Sequence, residues 1–220
     1  MKLLYFHGFA SSGATGTAQL LRSMMPEHEV IAPDIPVDPV EALPYLRALV
    51  EREQPDLIIG TSMGGMYAQQ MFGVRKICVN PAFNMSKLSK VMRPGTYKFL
   101  NGRKDNVKEF RITKEIVQHF YTMEMGQFKG ITDFDRENTW GLFGIHDTTV
   151  NTYDLFKKYY PNAIRFDGEH SLNEKALRTT VVPLIRQILE KLRRQRGYFP
   201  VKKLQFHKKG QKKENLFLTF

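Results

Sequence analysis

Cysteine is all but missing from this chain. Cys78 is the single one in 220 residues, so no internal disulfide can form, and its setting between Ile77 and Val79 reads as a small buried hydrophobe. Long apolar runs are missing as well. The start, Met1 to His7, offers only the apolar run Leu3-Leu-Tyr-Phe6, too short for a secretory-signal core and far too short to span a bilayer. A cytoplasmic, reducing location without a transmembrane segment is the resulting expectation. No His and Cys group has metal-ligand spacing and no glycine-rich dinucleotide fingerprint occurs, so neither a metal nor an organic cofactor is expected. There is no internal repeat.

Acidic residues are scarce at the C-terminal end. Residues 191–220 hold ten Lys or Arg and one Glu, which accounts for nine of the eleven net positive charges, and residues 1–190 are nearly neutral. The basic pairs are interleaved with Tyr198, Phe199, Phe206 and Phe217, a pattern compatible with contact to nucleic acid or an anionic surface. A solvated extension that aids solubility fits the same composition. The division expected is a domain over residues 1–195 and a basic tail over 196–220. With 42% hydrophobic and 12% aromatic residues, the first part can build one sizeable core.

Within it, strand-like segments near 2–7, 29–33, 56–60, 75–80, 139–145 and 162–167 alternate with helical ones. That alternation predicts an α/β fold of three layers, about six mostly parallel strands with helices on both faces. Helices are expected near 16–25, 39–53 and 175–195. The second of these carries Val40, Leu43, Leu46, Leu49 and Val50 at helical spacing, and the last carries paired apolar residues from Val181 to Leu192. The long connection over about 83–138 breaks the alternation and suits a helical cap insertion, with helical character from Arg111 to Met125. Phe99, Phe110, Phe120, Tyr121, Met123, Met125 and Phe128 are candidates to line an acyl pocket there, or to form the cap's own small core. Residues 84–115 hold nine Lys or Arg against three Asp or Glu, a surface that would attract a phosphate-bearing substrate such as an acyl-coenzyme A thioester.

Chemistry is concentrated at strand ends. Gly60-Thr-Ser62-Met-Gly64 follows the apolar Leu57-Ile-Ile59 and precedes a helix-like stretch, the setting of a nucleophile elbow in which Ser62 is lifted clear of the sheet. Leu3-Leu-Tyr-Phe6 runs into His7-Gly-Phe-Ala-Ser-Ser-Gly13, which looks like an oxyanion loop; the two backbone N–H donors are assigned to Phe9 and Met63. His7 itself is read as a structural residue bonding its own loop. Two later strands end at His146-Asp147 and at Asp167-Gly-Glu-His170, in the chain order Ser, acid, His. Ser62, Asp147 and His170 are thus the expected triad, with His170 as general base and then general acid. Asp147 is also suited to capping a helix near Val150, His146 could supply the imidazole, and Asp154 or Asp167 could supply the acid.

These segments give the chain its resemblance to the α/β-hydrolase superfamily, and within it to small bacterial esterases of the YqiA/YcfP type. The resemblance rests on Tyr5-Phe-His-Gly-Phe-Ala-Ser-Ser12, Gly60-Thr-Ser-Met-Gly-Gly65 with Asn80-Pro-Ala82, Gly144-Ile-His-Asp147 and Gly168-Glu-His-Ser171, and spans residues 1 to about 190. It implies a serine-dependent carboxylesterase or thioesterase acting on a small-molecule acyl substrate through an acyl-enzyme at Ser62. Two other classes compete. One is a non-catalytic binding protein that keeps the fold and acts through its basic tail. The other is a degenerate phosphate-binding loop at Gly8 to Thr15, which lacks the required lysine because Ala14 occupies its position.

Overall fold

Six strands form one parallel sheet: β1 (Lys2–Phe6), β2 (Glu29–Ile31), β3 (Leu57–Thr61), β4 (Lys76–Val79), β7 (Thr139–Gly144) and β8 (Asn162–Phe166), in the order β2-β1-β3-β4-β7-β8. A computed structural model describes residues 1–88 and 92–197 of the chain. The expected strands are all present, each within two residues of its predicted bounds. The expected tail beyond Gly197, with its nucleic-acid or anionic-surface contact, lies outside the described residues. No helix among the described residues is long and apolar enough to cross a membrane.

Both faces of the sheet are covered, which is why its strands read as continuous apolar runs. Side chains alternate across each strand. Leu3, Tyr5, Leu57, Ile59, Ile77 and Val79 face α1 (Gly16–Met24) and the C-terminal helix α8 (Val182–Gln195), whose Val182, Ile185, Ile188 and Leu189 are buried there. Leu4, Phe6, Ile58 and Cys78 face α2 (Pro39–Glu53) and α3 (Met63–Gln69) on the other side. Burial pushes the Cys78 thiol up to about 12, as expected of an inert core residue. Asp38 caps α2 by accepting from the Val40 N–H, and Pro39 occupies its first turn. Ala42, Leu46 and Leu49 supply the buried stripe, while Val40 at the helix start is exposed.

The insertion between β4 and β7 is less helical than expected. It opens with a single 3-10 turn at Met85–Lys87 and then forms an antiparallel hairpin, β5 (Gly95–Lys98) with β6 (Glu109–Ile112). Helices α4 (Lys114–Gly126) and α5 (Asp133–Glu137) follow, so the helix expected from Arg111 starts three residues later because Arg111 and Ile112 pair with Thr96 and Gly95. Thr113 caps α4 by accepting from the Ile116 N–H. After β7, the short helix α6 (Tyr153–Lys157) leads to β8, and α7 (Glu174–Ala176) runs through a π-helical turn into α8.

The crossovers decide where a site can form. From β1 the chain moves outward to β2, whereas from β3 it moves the other way to β4, so the loops after β1 and β3 part company. In an open parallel sheet that divergence leaves a crevice at the strands' C-terminal ends. Ser62 and the loop from His7 to Gly13 occupy it.

Candidate active site

Ser62 follows β3 directly and has φ 54° and ψ −118°, a conformation strained for any side chain other than glycine. The turn is tight enough that its flanks must be glycines. A Cβ on Gly60 would collide with the Gly64 carbonyl, and one on Gly64 would collide with the Phe6 and His7 carbonyls. The Ser62 backbone is held by β4 and its sequel: its N–H donates to the Val79 carbonyl at 2.9 Å and its carbonyl accepts from the Ala82 N–H at 3.1 Å.

The three residues expected to act together are in hydrogen-bond contact although Ser62 and His170 are 108 positions apart. His170 Nδ1–H donates to Asp147 Oδ2 at 2.8 Å, and the Ser62 hydroxyl donates to His170 Nε2 at 3.0 Å. The ionised carboxylate can only accept, which keeps the proton on Nδ1 and leaves Nε2 as the acceptor. The Asp147 side chain is 4% exposed. Its second oxygen accepts from the Thr149 and Val150 N–H groups at 2.7 and 3.0 Å. Asp147 therefore both caps its own loop and holds the imidazole, so the two readings of this residue describe two oxygens of one carboxylate. The rival pair is elsewhere. His146 Nε2 faces Asp167 Oδ1 at 3.1 Å on an exposed surface, and Lys175, with His146, lowers the Asp167 carboxyl below its ordinary range. Asp154 lies in the first turn of α6.

Gly8 packs against Ser62, with space for a Cβ at 3.5 Å from the serine Cβ. Among the described residues, neither the Phe9 N–H nor the Met63 N–H is taken up by a protein acceptor. His7 anchors the loop that carries Phe9. The Ile35 N–H donates to His7 Nε2 at 3.0 Å and Nδ1 lies 2.8 Å from the Gly8 carbonyl, so the ring is neutral and fully engaged. Burial lowers its pKa to about 4. This is the structural role read from the sequence. Several other N–H groups of the loop already have protein acceptors: Ser11 donates to the Gly8 carbonyl, Gly13 to Asp34 Oδ1, Ala14 to Ser12 Oγ and Thr15 to the Ser12 carbonyl. A phosphate cradle would need those donors free and turned inward.

The hairpin clamps this loop from outside. Leu100 N–H donates to the Ala10 carbonyl at 2.7 Å, Asn101 Nδ2 to Ser11 Oγ at 3.0 Å, and Ser12 Oγ to the Gly102 carbonyl at 2.7 Å. The Phe9 ring meets Phe110 and Tyr97 edge-on at 5.4 and 6.2 Å between centroids. Between hairpin, loop and Ser62 lies a cleft of about 580 Å³ with Ser62 and His170 in its wall. Its apolar lining includes Phe9, Met85, Leu88, Leu100 and Leu172. None of the seven residues proposed from the sequence for an acyl pocket lines it. Phe120 is fully buried, Phe128 stacks on Tyr159 and meets Phe83 edge-on, and Tyr121 and Met125 are exposed. The insertion needs those aromatics for its own packing and for docking onto the sheet. Of its basic residues, Lys98 borders the cleft, whereas Arg103 is committed to Asp105, the Ile35 carbonyl and the Phe99 ring. Met85, Leu88 and Leu100 of the insertion and Leu172 after β8 carried no sequence signal, since only the tertiary fold brings them together.

Comparison with known proteins gives a consistent fold. Est1E from Butyrivibrio proteoclasticus is similar with a TM-score of 0.61 at 13% identity, covering 86% of this chain and 88% of that one. The mouse alpha/beta hydrolase domain-containing protein 10 has a TM-score of 0.61 at 13% identity, covering 87% and 90%. The alpha/beta hydrolase GrgF from Penicillium sp. sh18 has a TM-score of 0.55 at 12% identity, covering 88% and 89%. The model of the family described as Uncharacterised protein family (UPF0227) matches residues 2–174. With that match over most of its length, and with the α/β-hydrolase fold it shares with these structures, the chain belongs to the UPF0227 family.

Proposed function

We propose that the protein is a serine hydrolase that cleaves carboxylic esters or thioesters through an acyl-enzyme at Ser62. The observation that carries this reading is the continuous chain from Asp147 through His170 to Ser62 Oγ, at 2.8 and 3.0 Å, in the wall of a cleft. Ser62 Oγ attacks the acyl carbonyl carbon as its proton passes to His170 Nε2. Negative charge develops on the carbonyl oxygen, where the Phe9 and Met63 N–H groups stabilise it. Collapse breaks the bond to the alcohol or thiol, which leaves with the proton from His170. Water then gives a proton to His170 and attacks the acyl carbon, and the serine recovers its proton as the acid departs. Asp147 orients the imidazole and stabilises its charged form. The apolar wall of Phe9, Met85, Leu88 and Leu100 suits the acyl chain, and Lys98 and Asn101 line the same cleft.

The test is fluorophosphonate labelling of the purified protein, with the modified residue located by mass spectrometry. Modification at Ser62 that disappears in Ser62→Ala and His170→Ala is the expected result. A folded wild-type protein that takes up no label at Ser62 would refute the proposal and favour a binding protein that keeps the hydrolase fold. Hydrolysis of paired esters and thioesters of one acyl length then distinguishes the leaving groups.

A further inference from the structure

Asn80 follows the last residue of β4 and had no assigned role. It is 1% exposed and holds φ at 43°, in the left-handed region that asparagine tolerates better than most residues. Its carboxamide is fully used. The Gly144 N–H donates to Oδ1 at 2.8 Å, and Nδ2 donates to the Glu169 carbonyl at 2.8 Å and to the His170 carbonyl at 3.0 Å. Because an N–H only donates and a carbonyl only accepts, these partners determine which end of the amide points where. The neighbouring backbone holds the elbow and β7 as well. Val79 and Ala82 bond the Ser62 N–H and carbonyl, and the Asn80 N–H donates to the Leu142 carbonyl at 2.8 Å. Residues 79–82 thus grip the serine by its backbone, while the Asn80 side chain grips the main chain of His170 and the end of β7, three residues before Asp147.

We propose that Asn80 is a positioning residue whose carboxamide sets the approach of His170 Nε2 to Ser62 Oγ by tying the histidine's main chain to the elbow. The inference rests on the serine-hydrolase reading above. His170 sits in a loop outside any helix or strand, so its ring position depends on such ties. The carboxamide does not line the cleft, so its loss acts on turnover and not on substrate binding. An asparagine that served stability alone would lower the unfolding temperature and leave the folded molecules' turnover unchanged.

Two variants test this. Asn80→Gly keeps the positive φ at no steric cost and removes the carboxamide; Asn80→Asp keeps the shape and removes both donated N–H bonds, putting an oxygen against the Glu169 and His170 carbonyls. Unfolding midpoint, rate of fluorophosphonate labelling at Ser62, and kcat and KM on p-nitrophenyl acetate are measured well below the midpoint. A displacement of the ring by about 1 Å costs about 10²-fold, so labelling rate and kcat should fall by about that factor with KM unchanged. Wild-type labelling and kcat in folded Asn80→Gly would overturn the proposal; if that variant does not fold, Asn80→Asp decides by the same comparison. Loss of folding in both assigns the residue to stability and overturns it as well. A folded wild-type protein left unmodified at Ser62 overturns the hydrolase reading itself, whereas a labelled wild type matched by an equally labelled variant overturns only the role of Asn80.

Discussion

His7 makes the protein sensitive to acid in a way that can be calculated. Its imidazole is 2% exposed, and Nε2 can accept the Ile35 N–H only while unprotonated. Burial, opposed by the Gly8 carbonyl and the Asp34 charge and reinforced by Arg103, takes its pKa from 6.5 to about 4. Between those values the unfolded chain carries a proton that the folded chain does not. The stability contributed by the neutral ring is therefore complete above about pH 6.5 and is lost as the pH falls toward 4. At about 1.36 kcal/mol per pH unit, the interval from 6.5 to about 4 amounts to about 3 kcal/mol. His7→Gln places an oxygen where Nε2 accepts and adds no group that titrates in this range. Urea unfolding of both proteins at pH 7.5 and pH 4 isolates the histidine, because titrations elsewhere largely cancel between them. The wild type should lose about 3 kcal/mol more than the variant across that interval. Equal losses would refute the reasoning, since they would mean that the ring takes up its proton as readily in the folded protein as in the unfolded chain.

Two further outcomes follow from the same geometry. In Asp147→Asn the retained oxygen can still cap Thr149 and Val150, so the amide NH₂ turns to His170 Nδ1 and imposes the wrong tautomer. Ester hydrolysis should fall by about 10⁴-fold with little change in unfolding temperature, and a loss below tenfold would remove Asp147 as the acid. Away from the site, Lys76 and Asp135 form a fully buried ion pair at 2.8 Å; burial opposes the Asp135 charge, but Lys76, Thr132 and the Gly73 N–H outweigh it and lower that carboxyl. Asp135→Ala strands the Lys76 charge and should cost about 3–5 kcal/mol, or about 6–20 °C in Tm by calorimetry. The wild type's advantage should shrink as the pH falls below 3.8, where the unfolded carboxyl gains its proton; a constant difference would show that the pair is not ionised.

How much of this was legible beforehand differs from element to element. The six strands could be read because a parallel sheet buried on both faces demands continuous apolar runs such as Leu57-Ile-Ile59. The elbow could be read because its sharp turn admits only small flanks, and Gly60 and Gly64 leave no room for a side chain. The order of Ser62, Asp147 and His170 followed from strand ends in sequence. The insertion was another matter. Its hairpin strands, Gly95–Lys98 and Glu109–Ile112, alternate buried or half-buried with exposed residues and so lack the apolar run that marked the central strands.

Sequence alone thus determined the layered fold and the residue types at the site, because strand burial and the elbow's backbone impose local patterns. Which acid meets the histidine was decided only by tertiary structure. Asp147 and Asp167 both follow strands, but the Asp147 loop turns its carboxylate inward to His170 while Asp167 pairs with His146 and Lys175 at the surface. The cleft lining was decided in the same way, since Phe9 after β1, Met85 in the insertion and Leu172 after β8 are far apart in the chain and share one wall only in the fold. Asn80 shows the physical reason most directly. A single side chain at the end of β4 bonds β7 and the His170 loop, partners 64 to 90 positions away, and contacts of that range leave no periodicity in the chain.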